Sequence, residues 1–547
     1  MKRSINSLKI LKKTNFKKRK QNDFKKRSFN NFQNEIKHFL SKDVLTYIAS
    51  EFLYWRYAKN TIKAFKYNMK IKPYQLNFRL NKKLKIHSLR KMETYHFDEF
   101  LLKENQLNIL KKIKISKLKV HNDFNKKLQS CFENFNETII KKIYFGKSYN
   151  QPLPDNLPNT LEEISFTYNS VYNHPLPKNL PNSLKILKLG RHYNQPLPEN
   201  LPSSLEELRF GRDFNSPLID TIPLSIKYID LGIEFNHPLA INFASKLEHI
   251  KISSNFNHPL SINHLQYLKT LEFKSKYNEK LPENLPQTIE KIILRSCYNQ
   301  PLPQNLPQSL KEIRFSRCFN QDFPQNLPQS IECIKFAYFS KFSKQFPTNL
   351  LSSLLSLKEI QFPSNFNQPL PNNLPNSLKS IAFGKKYNQI LPQNLPQSLT
   401  LIRFGDDYNQ LFPHNMTGSI EEIVFGKSYN QIENLPQTLI SCCFGDNFNQ
   451  QLTQLPPLIK TINFGNNYNK PLPNNLPNSL KCISFGDDYN QLLPQNLPDS
   501  LQFIIFNIDS PYNFKFPTSI PKSLKIISLP KSFNQPLLKI CPNHCNI

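Results

Sequence analysis

Residues 378–398 read Leu378-Lys379-Ser380-Ile381-Ala382-Phe383-Gly384-Lys385-Lys386-Tyr387-Asn388-Gln389-Ile390-Leu391-Pro392-Gln393-Asn394-Leu395-Pro396-Gln397-Ser398, and Leu399 begins the same pattern again. Self-similarity at a fixed period of this length is the signature of a repeat array. Working outward, an aromatic followed by Asn recurs at Tyr149, Tyr172, Tyr193, Phe214, Phe235, Phe256, Tyr277, Tyr298 and Phe319. It resumes at Phe366, Tyr387, Tyr408, Tyr429, Phe448, Tyr468, Tyr489, Tyr512 and Phe533. Ten of the eleven glycines share one position of the unit, from Gly146 to Gly486. The spacing therefore predicts a solenoid of about 19 coils, with a sheet on the order of 90 Å long.

Each part of the unit has its own physical role. Leu-x-x-Ile-x-Phe ends in an apolar–polar alternation, which predicts one short parallel strand per coil, with Ile381 and Phe383 inward and Ala382 outward. Glycine after the strand is expected to supply a positive φ where the chain turns. The aromatic is expected to fill the core between coils, and the following Asn to form a buried ladder that caps turn backbone. Pro-Leu-Pro-x-Asn-Leu-Pro cannot form a helix interior, so the return should be extended and polyproline-like.

The unit resembles the FNIP repeat, a relative of leucine-rich repeats. Its core here reads Phe/Tyr-Asn-Gln-Pro, as at Tyr193-Asn194-Gln195-Pro196 and Phe366-Asn367-Gln368-Pro369, with Gln where the family name has Ile. The resemblance implies a leucine-rich-repeat-like solenoid and carries no biochemical activity.

Charge and proline divide the chain. Residues 1–130 hold 34 Lys and Arg against 9 Asp and Glu, out of a formal net charge of +32 for the whole chain. Pro73 is the only proline before Pro152. The organisation expected is a basic head at 1–37, a small helical region at 38–104, degenerate repeats forming a cap at 105–140, the solenoid at 141–540 with an irregular coil at 337–362, and a tail at 541–547. In the irregular coil Phe339-Ser340 stands at the aromatic–Asn position and lacks the Asn. The head clusters Lys17, Lys18, Arg19, Lys20 and Lys25, Lys26, Arg27, a pattern shared by import signals and nucleic-acid arms. The alternative is codon drift in a chain rich in Lys, Asn, Ile and Phe. Residues 38–75 have helical apolar spacing and resemble an F-box without its Leu-Pro opening. That resemblance implies docking to a cullin-type ubiquitin-ligase adaptor through Leu40, Val44, Leu45, Ile48 and Leu53; an ordinary helical cap is the alternative.

Catalytic and cofactor chemistry finds no complete constellation. Gly146-Lys147-Ser148 and Gly426-Lys427-Ser428 lack the earlier glycine of a phosphate loop, with Lys141 and Glu421 in its place. Asp406-Asp407 and Asp487-Asp488 occupy a turn position that elsewhere holds Lys385-Lys386. His174, His237 and His258 replace the core Gln and should make its turn contact. Cys541, His544 and Cys545 are three soft ligands without a fourth, and Cys297 and Cys318 share a position one coil apart as reduced thiols or a disulfide. No metal, cofactor or enzymatic activity is expected.

No run of 18 apolar residues exists, so no membrane span is expected. The scattered, odd number of cysteines and the lack of a signal-peptide core point to a cytoplasmic or nuclear protein, inside the host cell if viral. The outward strand position then frames the functional question. Lys188, Arg209, Lys251, Ile293, Arg314, Lys335, Arg403 and Val424 form a candidate protein-binding face. The basic members, with the head, also fit nucleic acid as the alternative partner.

Overall fold

The computed structural model describes residues 96–102, 114–128 and 140–536, apart from short breaks at 219–221, 240–243, 296, 325, 348, 414–418 and 432–434. The chain divides into two compact units, residues 1–100 and 101–547, and the account below concerns the second. The head clusters, the F-box-like positions and Cys541–Cys545 lie outside the described residues.

Among the described residues there are twenty-one strands, numbered β1 to β21 in chain order, and β2 to β21, within the second unit, belong to one sheet. From β2 (Lys114–Val120) to β21 (Ile526–Ser528) each strand pairs in parallel with the next. Equivalent positions stay in register, as Ile360, Ile381, Ile402 and Ile423 do. Strands are three or four residues long from β3 (Lys142–Phe145) onward, because the prolines of each return leave room for no more. The sole helix among the described residues, α1 (Leu350–Ser353), lies in the irregular coil.

The core is a stack of identical layers. Ile381, Phe383, Tyr387, Leu391, Leu395 and Leu399 are all buried, each such side chain contributing roughly 1.5–3 kcal/mol. Tyr387, Tyr408 and Tyr429 stack nearly parallel with centroids 6.0 and 6.1 Å apart. Phe383 and Phe404, nearer the sheet, are 5.5 Å apart, so the coils are closest together on the strand side. Phe124 continues the stack onto Tyr149 at 6.3 Å, making residues 114–128 a degenerate layer of the same core.

Asn side chains form the expected ladder, at the surface rather than buried. Asn409 Oδ1 accepts the Asn430 N–H at 2.9 Å and the Gln431 amide at 3.2 Å, and the same bond joins Asn388 to Asn409 and Asn469 to Asn490. The three substituting histidines reach the preceding coil as the glutamines do, with His237 Nε2 2.8 Å from the Asn215 carbonyl. A second ladder runs beside it: in most coils a hydroxyl before the Leu donates to a carbonyl one coil back, as Ser398 does to Leu378 at 2.7 Å. Asn409→Ala strips the Asn430 N–H of its acceptor and should cost about 1–2 kcal/mol in chemical denaturation. Asn409→Asp, which keeps an acceptor, should recover most of that loss.

Two expectations are corrected. Among the ten glycines of the column, only Gly232 has a positive φ, 77°. All but Gly190, which faces the Ser170 side chain, allow backbone to touch backbone: a Cβ on Gly405 would sit 1.9 Å from the Gly384 carbonyl oxygen, and one on Gly426 1.9 Å from that of Gly405. In the irregular coil the aromatic of the stack is Phe342, 6.1 Å from Phe319, not Phe339. Ser343 takes the Asn place, its N–H bonding Asn320 Oδ1.

Candidate functional site

Side chains alternate along a strand, so the first and third residues of each strand share the outer face. The candidate residues all lie there, and register brings them into one column: Lys188 beside Arg209, Ile293 beside Arg314, Arg314 beside Lys335, Arg403 beside Val424. The sequence reading followed only this column. The neighbouring column, two residues earlier, carries carboxylates at Glu163, Glu207, Glu312, Glu359 and Glu422, and period-2 alternation is the signal that would have found them.

The basic candidates are ion-paired, Lys251 within its own column and the others with the neighbouring one. Lys188 lies 3.2 Å from Glu207 and 4.0 Å from Glu163. Lys251 meets Glu272 at 3.0 Å, Lys335 meets Glu359 at 2.8 Å, and Arg403 meets Glu422 at 3.6 Å. Arg209 bonds Glu207 and lies over the Tyr228 ring, while Arg314 bonds Glu312. Burial by itself would raise the Glu272 carboxyl, but hydrogen bonds from Arg295 and Lys251 outweigh it and hold the group below its usual value. Glu163 is also held low: burial opposes, and bonds from Ser165, Lys142 and Tyr144 prevail.

From β3 to β13 (Glu359–Gln361) the two columns contain seven cations and six carboxylates among 22 positions. This part of the face is nearly neutral and internally satisfied, not the basic surface expected from one column alone. Just before the strands a third column alternates strictly in sign, from Lys141 and Glu162 through to Glu332 and Lys358. Its pairs include Lys141–Glu162 at 3.0 Å and Lys269–Glu248 at 2.9 Å. Exposed pairs of this kind contribute little individually, but the alternation gives each Lys a Glu on the adjacent coil.

Charge stops toward the C-terminal end. From β17 (Ser441–Cys443) to β21 the ten outward positions are Ser441, Cys443, Thr461, Asn463, Cys482, Ser484, Phe503, Ile505, Ile526 and Ser528, with no charge. Ile505 and Ile526 are exposed, and the Asn463 amide donates to Cys443 Sγ at 3.0 Å.

No group of three or more potential metal ligands occurs among the described residues, and no described helix is long and apolar enough to cross a membrane. Asp406-Asp407 and Asp487-Asp488 lie in turns at the strand-exit rim, half-exposed except for Asp488, which is exposed. Cys297 and Cys318 are both free thiols. Thiol chemistry should follow exposure: alkylation near pH 8, mapped by mass spectrometry, should label exposed Cys297 rapidly and spare Cys442 and Cys333. Burial raises both of the latter thiols, that of Cys333 to about 12.

The FNIP Repeat profile matches residues 139–169, 172–213, 193–234, 298–350, 355–386, 387–417, 432–467 and 468–509. Among solved structures the chain is similar to CroV588, described as a novel circular leucine-rich-repeat protein. The identity is 30%, the TM-score is 0.64, and the match covers 79% of this chain and 75% of that one. The protein chain of a TLR13–ssRNA13 complex matches at 16% identity with a TM-score of 0.52, covering 79% and 67%; at that identity the likeness is one of fold. No curated protein sequence matches the chain.

Proposed function

Because the chain belongs to the FNIP repeat family, we propose that it is a non-enzymatic protein-recognition scaffold that binds its partner on the uncharged C-terminal end of the strand face, β17 to β21. The observation that carries this reading is the run of ten outward positions from β17 to β21 without a charge. Binding strips water from a surface. On the N-terminal half that would desolvate Glu163, Glu272 and their cations, a cost that contacts rarely return in full. Phe503, Ile505 and Ile526 can be dehydrated at a gain, among hydroxyls and thiols that tolerate it, and interface cores are depleted in charge in this way.

The test is affinity capture with the full chain against Ile505→Asp/Ile526→Asp, both at exposed positions. Proteins retained by the natural chain should be lost with the variant and kept with Arg209→Ala. Retention that survives the variant, or that a nuclease abolishes, contradicts the reading.

A finer reading makes the chain the substrate receptor of a ubiquitin ligase, with residues 38–104 docking an adaptor through Leu40, Val44, Leu45, Ile48 and Leu53. Co-purification of the adaptor with the full chain, lost on Leu45→Asp/Ile48→Asp, is the expected result. The alternative partner, nucleic acid, now rests on the basic clusters of residues 1–37, because the strand face carries little net charge. It predicts affinity that falls steeply with salt and disappears when those residues are deleted.

A further inference from the structure

The unit length is broken in a regular way. The coils that begin at Leu161, Ile331 and Leu501 each carry extra residues directly after the strand: Phe166-Thr167-Tyr168-Asn169-Ser170, Phe336-Ala337-Tyr338-Phe339-Ser340 and Phe506-Asn507-Ile508-Asp509-Ser510. Their strands are β4 (Glu163–Phe166), β12 (Cys333–Phe336) and β20 (Phe503–Phe506), eight apart in both intervals. All three extensions close the same turn. The buried Ser N–H bonds the carbonyl three residues back at 2.9, 2.9 and 3.1 Å. Its hydroxyl then accepts the N–H of Tyr172, Phe342 or Tyr512 at 3.2, 3.2 and 3.3 Å.

What these turns present is apolar and solvent-facing. Tyr168 is 66% exposed, Tyr338 62%, Phe339 66% and Ile508 56%. The central turn is the largest, with Tyr338 and Phe339 edge to face at 4.9 Å and Arg317 5.9 Å from the Phe339 ring. Single exposed apolar residues are ordinary. Three equivalent turns at equal intervals of eight coils, roughly 38 Å along the stack of coils, are not.

We infer that this strand-exit rim is a self-association surface whose occupant is a second copy of the chain, related by a twofold axis through Tyr338 and Phe339. An isologous contact needs a surface that maps onto itself when reversed. Equal spacing on either side of the central turn meets that need, placing Tyr168 against the partner's Ile508 and the central pair against itself. Charge along the rim supports the same pairing. Between the glycine position and the stacked aromatic, coils from Lys147 to Lys386 carry eight cations and two carboxylates, while those from Asp406 to Ser532 carry two cations and six carboxylates.

Reversal about β12 sets β9 (Thr270–Phe273) against the partner's β15 (Leu401–Arg403), and β5 (Ile186–Lys188) against the partner's β19 (Cys482–Phe485). Lys276 thereby faces Asp406 and Asp407, and Arg191 faces Asp487 and Asp488. None of these six has an ion-pair partner among the described residues. Three like-charged meetings also result. At the axis Lys341 meets the partner's Lys341, with room to diverge only because both sit at the rim's exposed edge. Lys147 meets Lys531, but Lys531 is already paired with Asp509 at 3.1 Å. Glu234 meets Asp446, but Glu234 already has Arg212 at 3.7 Å.

Sedimentation equilibrium of the full chain tests the inference. The expected mass is a dimer's, tightening at low salt because the facing charges lie at the surface. Tyr338→Asp/Phe339→Asp should return a monomer with an unchanged circular dichroism spectrum. Lys276→Glu should weaken the dimer at least tenfold, and adding Asp406→Lys/Asp407→Lys in the same chain should restore it. A natural chain that stays monomeric to about 100 μM, a dimer indifferent to the Tyr338/Phe339 change, or a charge reversal that fails to restore association would each overturn it.

Discussion

Gly426→Ala is expected to destabilise the array by about 3 kcal/mol or more, the upper end of overpacking costs. The new Cβ would lie 1.9 Å from the Gly405 carbonyl oxygen, 2.3 Å from its carbon and 2.7 Å from Asp406 Cα. All three are backbone atoms, so no rotamer change relieves the clash and the coils must part. Parting them lengthens the parallel hydrogen bonds between β15 and its neighbour β16 (Glu422–Val424), which lie just upstream. Thr167→Ala, where the column already has a side chain, should change stability by no more than about 0.5 kcal/mol. A second variant separates close approach from backbone conformation. If Gly426 were needed for a left-handed φ, Asn would be tolerated better than Ala; with backbone contact as the cause, Gly426→Asn is no better. Urea midpoints of the three variants decide the matter.

Alkaline unfolding should be abrupt. Burial raises the phenols of ten stacked tyrosines above their ordinary value of about 10: Tyr172, Tyr193, Tyr277, Tyr298, Tyr387, Tyr408, Tyr429, Tyr468, Tyr489 and Tyr512. A phenol raised in the folded state keeps its proton while the unfolded chain loses one. The stabilisation is therefore complete below pH 10 and falls as pH rises above it. Each group contributes about 1.4 kcal/mol per pH unit beyond that point, and ten together approach the whole stability of an ordinary domain within about one unit. Phenolate absorbance and loss of circular dichroism should appear in a single step between about pH 10.5 and 11.5. Phenols that titrate near pH 10 with the spectrum intact would show that the stack is open to water. Tyr408→Phe serves as the control. Its hydroxyl is buried without a hydrogen-bond partner, so the variant should be at least as stable at neutral pH.

The periodic part of this fold was readable because every coil repeats the same physical test. Buried Ile381 and Phe383, the stacked Tyr387 and the Asn388 bond all follow from alternation, volume and hydrogen-bonding capacity within one unit. The glycine column was located but its cause was not, since a missing Cβ looks the same in sequence whether it relieves φ or a neighbour's carbonyl. Only the position of Gly384 behind Gly405 distinguishes them. In the irregular coil, Phe339 and Phe342 offer the same ring three residues apart, and the closed turn at Ser340 selects Phe342. The character of the strand face was misjudged for a different reason. Lys188 and Arg314 stand in one column, whereas their partners Glu207 and Glu312 become visible only when two columns and the register between coils are considered together. The uncharged run from Ser441 to Ser528 emerges from the same two-column view.

That run makes the most direct measurement available. A photo-crosslinking side chain placed at Ile505 in the full chain should capture a discrete protein partner in a cell extract. The same side chain at Arg209, on the ion-paired half of the face, or at Leu458, exposed outside the strands, should capture none. Equal capture from Arg209 and Ile505, or capture from Leu458 alone, would contradict recognition by the uncharged end of the strand face.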